Sequence, residues 1–489
     1  MKRKVLTGLF TIAALTAFLL ALPSEASAQR PKKQARRLVQ EADKLYNQRR
    51  YQEALQVYGN ALSISPVFPK ARFFKGYSHY RIGQYAEAVK EFDLALLQGY
   101  PELDVVSVRM EAQLQNKDYG GAISDAKTAV RLSPGTPYYH TFLGRMMILA
   151  NDYPAAVASL TRALELEEKN ADAHYFLAVA YSGSGNYVEQ GKSASNALRL
   201  GSPYAGNAWY LLADSQVRSK LYQDAAQSYT NAINAYVRDI NAGRVTTDTE
   251  RNLYQSYSNL ADVYRNMNRF DDAITAAKAG LSMRPDDGLL HISLAWYYSL
   301  SGQIPEAVVA GQKAVQLSPG EYMAHTNLCR AYMDQGEYFY QAEKLVQARS
   351  NFNSAIASCM NALKLAPDDG ETNYYLGRTY FFLDKNAESD KYYRKSVPGL
   401  EKFTEQNPNY SDGYYLLGNA YFATGKNKEA IAAYLECLRI SPRFARVRYN
   451  LGFVLVKEGE MERARIQQAL LQELDKELAE KLAKVIAGE

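Results

Sequence analysis

Five histidines and three cysteines are the residues of this 489-residue chain best suited to hold a metal. Paired aspartates and a serine between glycines come nearest to a hydrolytic site. Their spacing argues against both chemistries. His140 and His174 stand 34 residues apart, as do His291 and His325, and His79 stands alone. No two share the i, i+4 interval that puts a pair of imidazoles on one helical face, and a zinc ion needs three or four ligands converging on one point. Gly183-Ser184-Gly185 lacks the G-x-S-x-G frame of a nucleophile elbow. Asp271-Asp272, Asp286-Asp287 and Asp368-Asp369 fall where helices should start, where acids suit the helix dipole. These patterns give no ground for a catalytic, cofactor-binding or metal-binding residue, and the expected class is not an enzyme.

The 34-residue interval belongs to a longer pattern. Tyr414-x-x-Leu417-Gly418-x-x-Tyr421, followed by Ala430, Tyr434, Cys437 and Pro442, recurs upstream. It appears as Asn373-x-x-Leu376-Gly377-x-x-Tyr380, His325-x-x-Leu328-Cys329-x-x-Tyr332 and His291-x-x-Leu294-Ala295-x-x-Tyr298. Apolar residues three and four apart define one face of a helix. Each unit carries two such runs, broken by a turn such as Gly425-Lys426-Asn427 and closed by a proline that cannot continue the second helix. A single hairpin cannot bury its apolar face, so neighbours must stack.

This pattern resembles the tetratricopeptide repeat, W-x2-L-G-x2-Y, A-x3-F, P. The resemblance implies an all-α fold, a TPR-like α-solenoid of about twelve helix hairpins forming a right-handed superhelix. Numbered by the family pattern, units start near Ala35, Pro69, Leu103, Pro137, Ala171, Gly206, Tyr254, Gly288, Tyr322, Gly370, Ser411 and Ala445. Only Trp209 keeps the leading tryptophan; His140, His174, His291 and His325 take that slot elsewhere, so they are expected between successive helices. Cys329 and Cys437 fall in small-residue slots and Cys359 in an aromatic one, which makes all three core residues. Whether Cys329 and Cys359 pair inside the elongated ninth unit is left open.

Two intervals between units exceed 34 by 14 residues and one by 7. Seven residues make about two helical turns, so an excess of seven lengthens a helix without rotating its apolar face. The resulting organisation is a leader at 1–28, a basic tail at 29–34, repeats 1–6 at 35–239, a helix-extending insertion at 240–253 and repeats 7 to early 9 at 254–335. A second such insertion spans 336–350, the remaining repeats 351–478, and a capping helix 479–489. Glu462–Val485 reads as one lengthened final helix.

Lys2, Arg3 and Lys4, the apolar run 5–22 and Ala26-Ser27-Ala28 form a secretory leader pattern. Export to the periplasm or cell envelope is expected, with an inner-membrane anchor through residues 5–22 as the alternative. Losing the leader lowers the net charge from +5 to +3, too weak a bias for nucleic-acid binding. The basic residues Arg30 to Arg37 offer anionic lipid a peripheral contact, or form a solvated tail.

In the family the first helices line a concave surface through slots 2, 5, 9 and 12. By that resemblance the partner groove holds Phe73, Tyr175, Tyr210, Tyr374, Tyr415 and Tyr449 at slot 5. Slot 9 supplies Tyr77, Arg145, Trp296, Arg330, Arg378, Asn419 and Phe453, and slot 12 supplies Tyr80, Phe381 and Phe422. Aromatic and arginine side chains are the usual anchors of interfaces, although some of these rings should instead pad contacts between first helices. The family's carboxylate clamp, lysine at slot 5 with asparagine at slot 9, is absent: Asn419 is paired with Tyr415. The expectation is a non-enzymatic scaffold binding a peptide or partner protein, with a glycan-binding or polysaccharide-export accessory using the same rings as the alternative.

Overall fold

A computed structural model describes residues 25–488. The leader pattern through residue 24, including the apolar run 5–22, lies outside them. The described residues form twenty-five helices and no strand, and no helix among them is long and apolar enough to cross a membrane. Two compact units divide the chain, Met1–Leu212 and Ala213–Glu489. Each is a stack of helix hairpins.

The first unit opens with Glu25–Asn47 paired with Tyr51–Ile64, so residues 29–34 are helical. Hairpins follow from Pro69–Arg81 with Tyr85–Leu97 to Ala171–Gly183 with Tyr187–Arg199. In the second unit, residues beyond the 34-residue period lie in long helices. Tyr222–Asn241, Thr247–Asn266 and Tyr322–Gln341 run 20 residues, and Leu345–Leu365 and Asn386–Gln406 run 21, against 13 or 14 in an ordinary unit such as Ser411–Ala423 with Asn427–Ile440.

Every hairpin turns on one residue of positive φ. Five are glycines, Gly83, Gly185, Gly302, Gly425 and Gly459; the other seven carry side chains, from Arg49 to Asp384. One turn serves two helix ends. After Asn151, the Asp152 N–H bonds back to the Met147 carbonyl at 2.9 Å, closing the first helix. The Asp152 carboxylate then accepts from the Ala155 N–H at 3.1 Å, capping the second. Asp287 and Asp369 cap the helices that follow them in the same way, and Asp271-Asp272 lies in a first helical turn.

Small residues let paired helices touch. A Cβ on Gly418 would sit 2.5 Å from the ring of the buried Tyr434, and one on Gly144 would sit 2.4 Å from Leu160. The four leading-slot histidines perform a job that spacing alone did not show. A ring N–H of His140, His174, His291 and His325 donates to the carbonyl six residues earlier, those of Pro134, Glu168, Pro285 and Pro319, at 2.9–3.1 Å. Asn373 and Arg448 do the same to Pro367 and Pro442. The slot selects a donor that ties down the loop between units, satisfying a loop carbonyl two residues past the preceding helix.

Cys329 and Cys359 are bonded to each other, both fully buried with Cα atoms 5.2 Å apart, and so staple the elongated hairpin Tyr322–Gln341/Leu345–Leu365. Cys437 is a buried free thiol, pushed up to about 12 by burial, hence unreactive. The C-terminus corrects one expectation. Instead of a single helix over Glu462–Val485, Met461–Leu474 and Lys476–Ala487 are separated at Asp475, whose backbone is extended. The Asp475 carboxylate accepts from the Leu478 N–H at 3.0 Å and starts a new helix. That break lets Leu482 fold back onto Gly452 and bury with Leu471 and Ala479, an apolar contact a continuous helix could not make.

Candidate functional site

The structure sorts the expected groove residues by unit. In the first unit, ring packing dominates. Phe73 is buried and stacked on Tyr100 with centroids 4.4 Å apart, and Tyr175 is buried and stacked on Tyr204 at 4.4 Å. Tyr77 lies parallel to both Phe73 and Tyr80, and the Arg145 guanidinium sits 5.5 Å from the Phe176 ring centre. Tyr210 is half-buried. Phe73 and Tyr175 thus pad contacts with the loops that lead to the next unit and present little surface to a ligand.

In the second unit the remaining ten residues come together. Trp296, Arg330, Tyr374, Arg378, Tyr415 and Tyr449 line one groove of about 2350 Å³. Phe381, Asn419, Phe422 and Phe453 line an adjoining pocket of about 500 Å³, which shares Tyr374, Arg378 and Tyr449 with the groove. Successive first helices, Gly288–Ser301, Tyr322–Gln341, Gly370–Phe382, Ser411–Ala423 and Ala445–Lys457, present these side chains. The spacing of repeat slots becomes a row in space.

The groove floor is a network of half-buried charge. Arg378 Nη2 donates to both carboxylate oxygens of Glu337, at 3.0 and 2.7 Å. Arg330 lies 3.8 Å from Asp334 and 5.7 Å from the centre of the Tyr375 ring. Burial opposes the Arg330 charge, but Tyr375, Asp334, Glu371 and Asp412 outweigh it and hold the guanidinium above its ordinary pKa. The acids feel the same burial. It raises Asp334 and Asp412 despite Arg330, and brings Glu371 up to about 7.

A second chain of bonds runs to the pocket. Arg378 Nη1 donates to the Tyr374 hydroxyl at 3.4 Å and Asn419 Nδ2 to the same oxygen at 3.1 Å. Asn419 Oδ1 accepts from the Tyr434 hydroxyl at 2.7 Å and from Asn450 Nδ2 at 2.9 Å. Across the groove, Arg265 lies 4.7 Å from the Trp296 ring centre and 5.9 Å from that of Tyr410, the two rings being 6.3 Å apart. This stack joins elements more than a hundred residues apart in the chain.

Sequence reasoning missed Arg265, Asp334, Glu337, Glu371, Tyr410 and Asp412. Glu371 and Asp412 occupy slot 2 and Arg265 slot 12 of their units, positions that the family pattern points into the groove, so the register held a signal for them. Asp334 and Glu337 lie late in a lengthened helix and Tyr410 in a loop, where the pattern is silent. Among the described residues no three His, Cys, Asp or Glu side chains are grouped to hold a metal ion.

Models of the tetratricopeptide repeat match residues 39–103, 258–322 and 400–432, and a TPR-repeat model matches 144–185 and 418–459. The chain belongs to the tetratricopeptide-repeat family. The peroxisomal targeting signal receptor of Candida albicans is 26% identical over 249 residues, 49% of this chain and 40% of that protein. Tetratricopeptide repeat protein 37 of Xenopus laevis is 23% identical over 259 residues, 53% of this chain and 15% of that protein. This chain therefore spans less than half the length of these curated relatives. Among solved structures, the C-terminal part of a TPR repeat-containing protein from Cytophaga hutchinsonii shares 17% identity over 52% of this chain and 99% of that one, with a TM-score of 0.43. A chain of the APC/C hetero-tetramer Cut9–Hcn1 shares 14% over 91% and 95%, with a TM-score of 0.38. Repeats of this family point to a protein–protein interaction scaffold.

Proposed function

We propose that the second unit binds an extended segment of a partner protein in its groove, and that the protein works in the periplasm or cell envelope. The observation that carries the first part is the convergence of Trp296, Arg330, Arg378 and Tyr449 around one continuous cavity of about 2350 Å³. Its length along five first helices suits a peptide, whose backbone and alternating side chains need a long, shallow channel. The aromatic and arginine lining supplies the side chains that dominate interface energies. Export is supported by the leader pattern of residues 1–28 and by the Cys329–Cys359 disulfide, since such bonds persist in oxidising compartments. No observation favours the glycan reading.

The test is photo-crosslinking in cells of the source organism. A benzophenone amino acid replaces Tyr449 or Trp296 in the groove, and in a control it replaces Val188, 60% exposed in the first unit. Discrete protein adducts at the two groove positions and none at Val188 are expected. Equal labelling at Val188, or adducts to oligosaccharide alone, overturns the groove reading. Determination of the mature N-terminus tests export separately; a chain retaining residues 1–28 in the cytoplasm overturns it.

A further inference from the structure

The adjoining pocket of about 500 Å³ lies between Gly370–Phe382, Ser411–Ala423 and Ala445–Lys457, with the start of Asn386–Gln406 forming one wall. Its surface is largely ring carbon: Phe381 is 58% exposed, and Phe422 and Phe453 meet edge to face at 5.8 Å. Tyr393 and Tyr449 add further rings, and Asn386, Ser389 and Asp390 form the polar part of the wall. The polar atoms at its base are already partnered. Asn419 uses both its amide N–H and its carbonyl oxygen on Tyr374, Tyr434 and Asn450, and Arg378 is held by Glu337. None of the buried side-chain polar atoms that lack a partner belongs to this pocket.

With the polar groups at its base satisfied by one another, the pocket rewards apolar area; its remaining acid, Asp390, is exposed at the rim and paired with Arg394 at 2.8 Å. Tyr374, Arg378, Tyr449 and Asn450 line both the pocket and the groove, so a chain lying in the groove passes its mouth. We infer that this pocket is the specificity pocket of the groove, taking one aromatic or large aliphatic side chain of the bound peptide. The inference rests on the groove reading above. Ring faces suit an edge-to-face or offset partner, and the Lys457 ammonium, 5.2 Å from the Phe422 ring centre and 5.4 Å from that of Phe453, fixes the outer edge of the cluster. A charged side chain seated among the rings would lose its water, while the charges nearest the pocket, Lys457 and Asp390, lie exposed at its rim.

The test uses a phage-displayed library of linear peptides selected on the full chain, with binding of the selected peptides measured on variants. Phe381→Ala removes an exposed ring and leaves the fold intact; Phe453→Ala probes the deeper wall. Enrichment of Phe, Tyr, Trp, Leu or Met at one fixed position, with affinity falling tenfold or more in Phe453→Ala and measurably in Phe381→Ala, is the expected result. Peptides that bind and are displaced by Arg330→Met but show no apolar position, or that bind both phenylalanine variants as well as wild type, overturn the pocket and leave the groove standing. Failure of any library peptide to bind overturns both.

Discussion

Cleaving the Cys329–Cys359 bond should loosen the groove from beneath. The bond closes a loop with a sequence separation of 30 across the hairpin that carries Arg330, Asp334 and Glu337. Loop-closure entropy for that length corresponds to about 3–4 kcal/mol at room temperature. In a stack of hairpins each unit is stabilised by its own contacts and those of its neighbours, so the loss should stay local. Both sulfurs are fully buried, so reduction must pass through unfolding: the protein is denatured with reductant and refolded in its presence. Hydrogen exchange of backbone amides reads opening free energies hairpin by hairpin, which a melting temperature of a multi-unit array does not. Amides of Tyr322–Gln341 and Leu345–Leu365 should exchange about a hundredfold faster or more in the reduced protein, while those of Tyr153–Leu166 stay unchanged. Equal protection in both forms, or a loss spread evenly through residues 25–488, would refute this account of the staple.

Three further outcomes follow from named contacts. Gly418→Ala places a methyl 2.5 Å from the buried Tyr434 ring, and overpacking of that kind should cost about 1–3 kcal/mol in denaturant unfolding followed by fluorescence. Glu343→Gly replaces a side chain held at φ 58° and should stabilise its hairpin by about 1 kcal/mol, read by the same exchange experiment. Burial raises the Glu371 carboxyl to about 7 from 4.5, so folding favours its protonated form; that contribution is full below about pH 4.5 and is lost as pH rises through 7. Stability should therefore fall across this range, with a shallower slope in Glu371→Gln.

Particular residues show how far the chain can be read unaided. The period placed first helices to within a residue at Pro69, Pro137, Gly288, Tyr322, Gly370 and Ser411, because slot residues such as Gly418 and Tyr434 encode their own contact. Turn glycines were a weaker guide, since Asn151 or Lys220 accepts the same left-handed backbone when the surrounding hydrogen bonds demand it. The histidines share one repeated slot, but their tie to a carbonyl six residues back is a loop geometry that spacing does not encode. Trp296 was singled out by its slot; its stack with Arg265 and Tyr410 was hidden, because stacking across the groove depends on how many units intervene and how each turns. Slot lists alone also treated Phe73 and Phe453 as equals, and only packing separates the ring buried on Tyr100 from the one lining a pocket.

Protection mapping with the crosslinked partner tests the groove most directly. Hydrogen exchange of the full chain, with and without that partner, should show slowing in the first helices Tyr322–Gln341, Gly370–Phe382, Ser411–Ala423 and Ala445–Lys457. Slowing confined to residues 25–212, or to second helices such as Asn427–Ile440, would contradict it.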